Sequence, residues 1–305
     1  MSLGREHLSE SHGLYRRAYE KAIADDSADG VVYAGINTAT TALLLGDESY
    51  ALETASHVAD VCRAKIEEKP DYWSMATLGE CHLLARDFEK ASEDYAAAVQ
   101  LAGNQIANIA SSRRNAEIIL RHQKADLSLL DKCFVIPSVA IFSGHLIDRR
   151  NAEKARFPES RIEFVRQRLQ TYFEEANIGF GYASAARGGD LLFLDELEQS
   201  NGKTYVVLPV AEKPFVDTSV AIDSQTDWTP LFATAMAGAS QVIVLDRLTN
   251  AAEPLHFEYA NRVMTGLAIL HARSLGTRVK PIAVWDRKPA PVSYTHLTLP
   301  TTPYV

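Results

Sequence analysis

The sequence predicts an all-helical repeat region followed by an α/β domain built on a parallel sheet, and three observations predict it. In the amino-terminal half a helix–turn–helix pattern recurs at an offset of about forty residues. At Cys133 the apolar period changes from helical to strand-like. From there to Trp285, β-rich runs alternate with amphipathic helical stretches, the order that builds a parallel sheet covered on both faces.

The bulk numbers fit that class. A chain of 305 residues has room for two domains, and 47% hydrophobic with 23% charged residues suits packed cores in water. No apolar run approaches the ~20 residues of a membrane span, and Met1 to Glu10 is polar, so no membrane partner and a cytoplasmic address are expected. A formal charge of -8 disfavours a phosphate-tracking surface, so nucleic acid is not an expected partner. The three cysteines, Cys62, Cys81 and Cys133, are odd in number and far apart, as expected of buried reduced thiols. The nine histidines show no metal-ligand spacing, and no metal site is expected.

The helical domain is assigned to residues 1–125. The turn Leu45-Gly46-Asp47 overlays on Ala85-Arg86-Asp87, and after each comes a helix with small or aromatic residues four apart, Ala51 and Ala55, then Ala91 and Tyr95. Leu78, Gly79, Ala91, Tyr95 and Ala98 fill the small and large positions of a tetratricopeptide repeat. Pro70-Asp71 reads as a helix stop and the next N-cap, with Tyr72 and Trp73 beginning the following helix. Leu14, Tyr15, Ala18 and Ala22 suggest a further helix at the start, and Trp73, Tyr95 and His82 read as packing residues.

From about Leu14 to His122 the chain resembles the TRAF-binding domain family, a helical regulatory region. The resemblance rests on Tyr33-Ala34-Gly35-Ile36-Asn37, Leu43-Leu44-Leu45-Gly46, Asp71-Tyr72-Trp73 and Ala76-Thr77-Leu78-Gly79-Glu80. It implies a scaffold that holds a protein partner or the chain's own effector domain.

The α/β domain is assigned to residues 132–290. Strands are expected at Phe134 to Phe142, Ile178 to Ala183, Tyr205 to Val210, Gln241 to Leu245 and Pro281 to Trp285. Ile162, Val165, Leu169 and Phe173 mark the first intervening helix, and Gly188-Gly189-Asp190 opens the second, through Leu197. Leu255, Tyr259, Val263, Leu267 and Leu270 lay an apolar stripe along the last. Residues 292–305, beginning VSYTHLTLPT, look like a translated sequencing adapter and are read as a non-native tail. On that reading the natural chain continues past about Pro291 towards an effector domain, and Met1 is an internal start.

Ligands of parallel sheets bind where loops leave the carboxyl ends of the strands. Two loops carry suitable chemistry. Ser143-Gly144-His145 offers close backbone approach, and Ser184 to Asp190 places amide donors and a helix N-terminus beside Arg187. Arg247, just past the fourth strand, can reach the same crevice. Asp190 is open to two readings, a complement to the helix dipole or a ligand contact. His145 is open between a satisfied loop histidine and a ligand contact, and Arg187 between an ion-pair partner and a phosphate partner. Asp227-Trp228 reads as an N-cap and a core anchor, and Glu258 and Asn261 as a solvated face.

From about Val135 to Asp286 this half resembles the SLOG superfamily of Rossmann-like ligand-binding domains, on Phe142-Ser143-Gly144-His145 and Tyr182 to Asp190. The resemblance implies a nucleotide-type ligand approached by Ser143, Gly144, Gly188 and Gly189, with Arg187 on a phosphate. Its phosphoribohydrolases carry PGGxGTxxE, where this chain has Leu191-Leu192 and Asp195. The expected function is therefore a sensor fragment of a signalling protein rather than an enzyme, with no resident cofactor. Two rivals remain, a nucleotide N-glycosidic hydrolase using Asp195 or Asp190, and a ligand-free scaffold.

Overall fold

The structure, a computed structural model, describes residues 3–221, 224–248 and 253–286. The tail expected at 292–305 lies outside them. The chain divides into two compact units, Met1–Ile136 and Pro137–Val305.

The first unit is helical: α1 (Leu3–Ala24), α2 (Ala28–Leu45), α3 (Glu48–Glu68), α4 (Tyr72–Leu84), α5 (Phe88–Ala102), α6 (Ile106–Gln123) and α7 (Ser128–Cys133). Three of its turns are built alike. A left-handed residue, Asp26, Gly46 or Arg86, ends one helix. The next residue, Ser27, Asp47 or Asp87, sends its amide back to the carbonyl five residues earlier, and its side chain accepts the amide three residues on. These are the orphan groups that helix ends must satisfy. Contacts echo the sequence offset: Thr40 donates to Glu80, Tyr72 bonds Ser112, and Gln123 donates to the Leu83 carbonyl. Helices α4 and α5 close on one another because Gly79 has no side chain; a Cβ there would lie 3.1 Å from the ring of Tyr95.

One expectation for this unit needs correction. Trp73 is 51% exposed, because Tyr72 takes the inward position and neighbouring helical residues point about 100° apart. In α1 the buried positions are Tyr19 and Ala22, while Leu14 and Ala18 face outward. Tyr95 is buried, and His82 is half-buried, bonded to Asp94 at 2.6 Å.

The second unit holds β1 (Ser138–Gly144), β2 (Ile178–Ala183), β3 (Lys203–Val210), β4 (Gln241–Asp246) and β5 (Val279–Val284), all parallel, in the order β4-β3-β2-β1-β5. Between them run α8 (Ile162–Glu175), α9 (Gly189–Gln199), the short α10 (Glu212–Phe215) continued by a wide turn over Val216–Val220, α11 (Thr229–Gly238) and α12 (Pro254–Leu275). The first strand begins four residues later than expected. Phe134 instead packs on Tyr95 in the helical unit, ring centroids 4.7 Å apart.

Alternation along β2 separates the two faces of the sheet. Gly181 lies against Phe193 and Leu197 of α9, whereas Phe180 and Tyr182 point at His271 of α12. The α9 face holds the main core, in which Phe193 stacks on Phe142 and meets Phe173 of α8 edge-on. Helix α12 turns Ala260, Met264, Ala268, Ala272 and Leu275 to the sheet. The expected stripe is displaced from that face: Leu255, Tyr259 and Leu270 are largely exposed, because small residues let the helix axis approach the strands and leave the larger ones outside.

Candidate functional site

The chain walks from β1 to β4 in one direction and then places β5 on the other side of β1, so strand order reverses at β1. The loops leaving β1 and β2 meet there. Leu146 pairs with Gly188 in an isolated antiparallel bridge, Gly189 N–H donates to the His145 carbonyl at 3.1 Å, and Ile147 N–H to the Arg187 carbonyl. Glycine is required by this seam. Gly188 has φ +90°, and a Cβ on it would sit 2.5 Å from the Ile147 nitrogen; a Cβ on Gly144 would sit 3.2 Å from Gly189 Cα. Ser143, Gly144, His145 and residues 187–190 are thus brought together.

The amide donors at this junction already hold an anion-like group. The Asp190 carboxyl accepts the Ala186 amide at 3.2 Å, and the amides of Ser184 and Gly144 also bond it. Burial pushes its pKa up to about 7, outweighing the three amide bonds, which pull it down. A side-chain carboxyl therefore takes the place a phosphate would take at the start of α9.

The other expected residues surround the seam. Arg187 is 4% exposed and donates from its amide and its Nη1 to the Ser219 carbonyl, tying the β2 loop to the segment after α10. His145 Nε2 lies 3.2 Å from Asp286 Oδ1, and Asp286 is held by two bonds from Arg156 at 2.9 and 3.0 Å. Arg156 and Phe157 are in turn anchored through their amides on Asp148. A histidine–carboxylate–guanidinium cluster so joins the ends of β1 and β5. Arg247 follows β4, three strands away from β1, with its side chain exposed.

An open cavity of about 380 Å³ lies beside the seam rather than in it, walled by Arg150, Val220, Ala221 and residues 224–228. Its loops are tied together: Arg150 Nη2 donates to the Ser224 carbonyl at 3.3 Å, and Glu159 accepts the amide and hydroxyl of Thr226. Asp227 accepts the Thr229 amide and hydroxyl. Trp228 is 3% exposed, and its indole Nε1 has no acceptor among the described residues. No family model, curated protein or solved structure matches this chain.

Asp195 does not line the cavity and is bonded at 2.5 Å to Arg166, which also pairs with Glu196 between α8 and α9. Among the described residues no cluster of three or more His, Cys, Asp or Glu could hold a metal, and no helix is long and apolar enough to cross a membrane. Sequence reasoning missed Arg150, Arg156 and Asp286. Asp286 could have been found, since it stands just beyond the fifth strand as His145 stands just beyond the first. Arg150 and Arg156 had no such signal in the long β1–α8 connection.

Proposed function

We propose that this chain is the sensor part of a signalling protein: a Rossmann-like α/β unit binds a nucleotide-type ligand, and a tetratricopeptide-like helical unit docks a protein partner or effector domain. The observation that supports the reading is the open cavity between the connection that follows β1 and the segment between α10 and α11, on loops of the kind through which parallel sheets receive ligands. Arg150 supplies the charge for a phosphate, and Val220 and the Trp228 ring an apolar wall for a base.

In this reading the phosphate lies on Arg150, and Asp190 stays where it is. Gly144, Gly188 and Gly189 act by closing the seam beside the site, and Arg187 by fixing the loop that carries Ser219 and Val220. The geometry disfavours hydrolysis, because Asp195 is spent on an ion pair and Asp190 on three amides. Signalling then requires that the ligand prefer one arrangement of the protein over another.

Calorimetric titration with ADP and a panel of purine nucleotides tests the proposal. Saturable binding is expected, weakened about tenfold, or 1.4 kcal/mol, in Arg150→Ala. A folded wild-type chain that takes up no nucleotide would leave the scaffold reading in its place. Release of free nucleobase, abolished in Asp195→Ala, would instead favour the hydrolase.

A further inference from the structure

The outward face of α12 is patterned for a second helix. Leu255, Tyr259, Arg262, Gly266, Leu270 and Arg273, all exposed, recur at spacings of three and four, the seam of a helix that pairs with another. Leu255 is 70%, Tyr259 57% and Leu270 64% exposed. Gly266 sits at the middle of this seam with nothing within 4 Å of where its Cβ would be. Glycine is the poorest helix former after proline, and an exposed one at mid-helix has a physical reason if another backbone approaches there.

Charge along α12 is polarised. Glu253 and Glu258 lie at its start, while Arg273 and Arg278 lie at or just past its end. A parallel partner of the same kind would set like charges together. An antiparallel one, related by a two-fold axis near Gly266, sets Glu258 against Arg273 of the second copy. The same axis puts the Tyr259 ring opposite the Arg273 guanidinium, a cation–π arrangement, and Leu270 along the aliphatic stem of Arg262. Glu258 already accepts a bond from Arg262 of its own helix at 2.5 Å, so the acceptor is ordered before any partner arrives.

We propose that α12 pairs antiparallel with α12 of a second copy of this chain, crossing at Gly266. One helix pair is small beside the ~1,600 Å² of a standard interface, so the dimer is weak and reversible. Sedimentation equilibrium of the full chain tests it. The mass is expected to rise from 33.6 kDa towards twice that value as protein is raised to about 0.5 mM. Leu270→Arg, which faces Arg262 of the other copy, is expected to weaken association at least about tenfold. Arg273→Glu is expected to weaken it too, and Glu258→Arg combined with Arg273→Glu to restore it, with circular dichroism unchanged throughout. A mass that stays at 33.6 kDa over the whole range overturns the proposal. So does a dimer indifferent to Leu270→Arg, or a charge swap that fails to restore what the single change removed.

Discussion

The two units differ in how most of their helix starts are satisfied, α6 and α7 in the first and α12 in the second being the exceptions. In the helical unit Ser27, Asp47, Asp71 and Asp87 each cap their own helix, accepting the amide three residues ahead. In the α/β unit α8, α9 and α11 have no side-chain bond at the N-cap. Around α9 the local amides are met instead by the His145 carbonyl, 44 positions away in the chain by subtraction, and by Asp190 reaching back to Gly144, Ser184 and Ala186. Local caps make each helix turn a separable contribution. A seam shared by two loops makes the carboxyl end of the sheet a single interlocked object, in which one side chain is felt by both strands.

That contrast can be broken at three places. The largest effect is expected from Gly188→Val, which combines a forbidden φ with a clash on the Ile147 backbone and should destabilise the α/β unit by about 4 kcal/mol. Denaturant unfolding followed by hydrogen exchange would read it. A loss below about 1 kcal/mol would show that the seam is not interlocked.

Next comes Asp190→Asn. The folded pKa of Asp190, about 7, lies above the ordinary aspartate value of 3.8, so the folded state binds more protons than the unfolded one between those limits. Its contribution is therefore fully present below about pH 3.8, is lost progressively as pH rises to about 7, and is flat beyond. Asparagine cannot ionise, so the variant should gain on the wild type between about pH 4 and 7, at up to about 1.4 kcal/mol per pH unit. A difference that does not change with pH would mean the carboxyl is not buried as described. Glu80, also buried and pushed up to about 7 by desolvation, adds a wild-type slope of the same sign that the subtraction removes.

The smallest change is expected from Asp87→Ala, about 1 kcal/mol, the ordinary worth of an N-cap. Thermal melts of the helical unit would measure it. A loss of several kcal/mol there would erase the contrast between local and shared satisfaction.

Legibility followed the same division. The Asp71 cap, the turns at Asp47 and Asp87 and the second strand could be read in order along the chain because each depends on a few neighbouring residues. Their physics is helix period, strand alternation and capping, all of short range. The errors fell where two elements compete for one apolar residue. Phe134 could continue a strand or fill the space beside Tyr95, and Trp73 or Tyr72 could take the one inward position. The stripe of α12 had the right period on the wrong face, since periodicity names a face without saying what covers it.

The candidate site shows the same limit. Sequence alone determined that this chain has a helical half and an alternating α/β half, and that glycine-bearing loops follow its first two strands. Tertiary structure decided that those loops lock against each other around Asp190, that the open space lies next to Arg150 and Trp228, and that His145 finds Asp286. Such pairings join residues up to 141 positions apart. Which distant group reaches a given backbone donor depends on strand order and burial, and neither is encoded in any local run of residues.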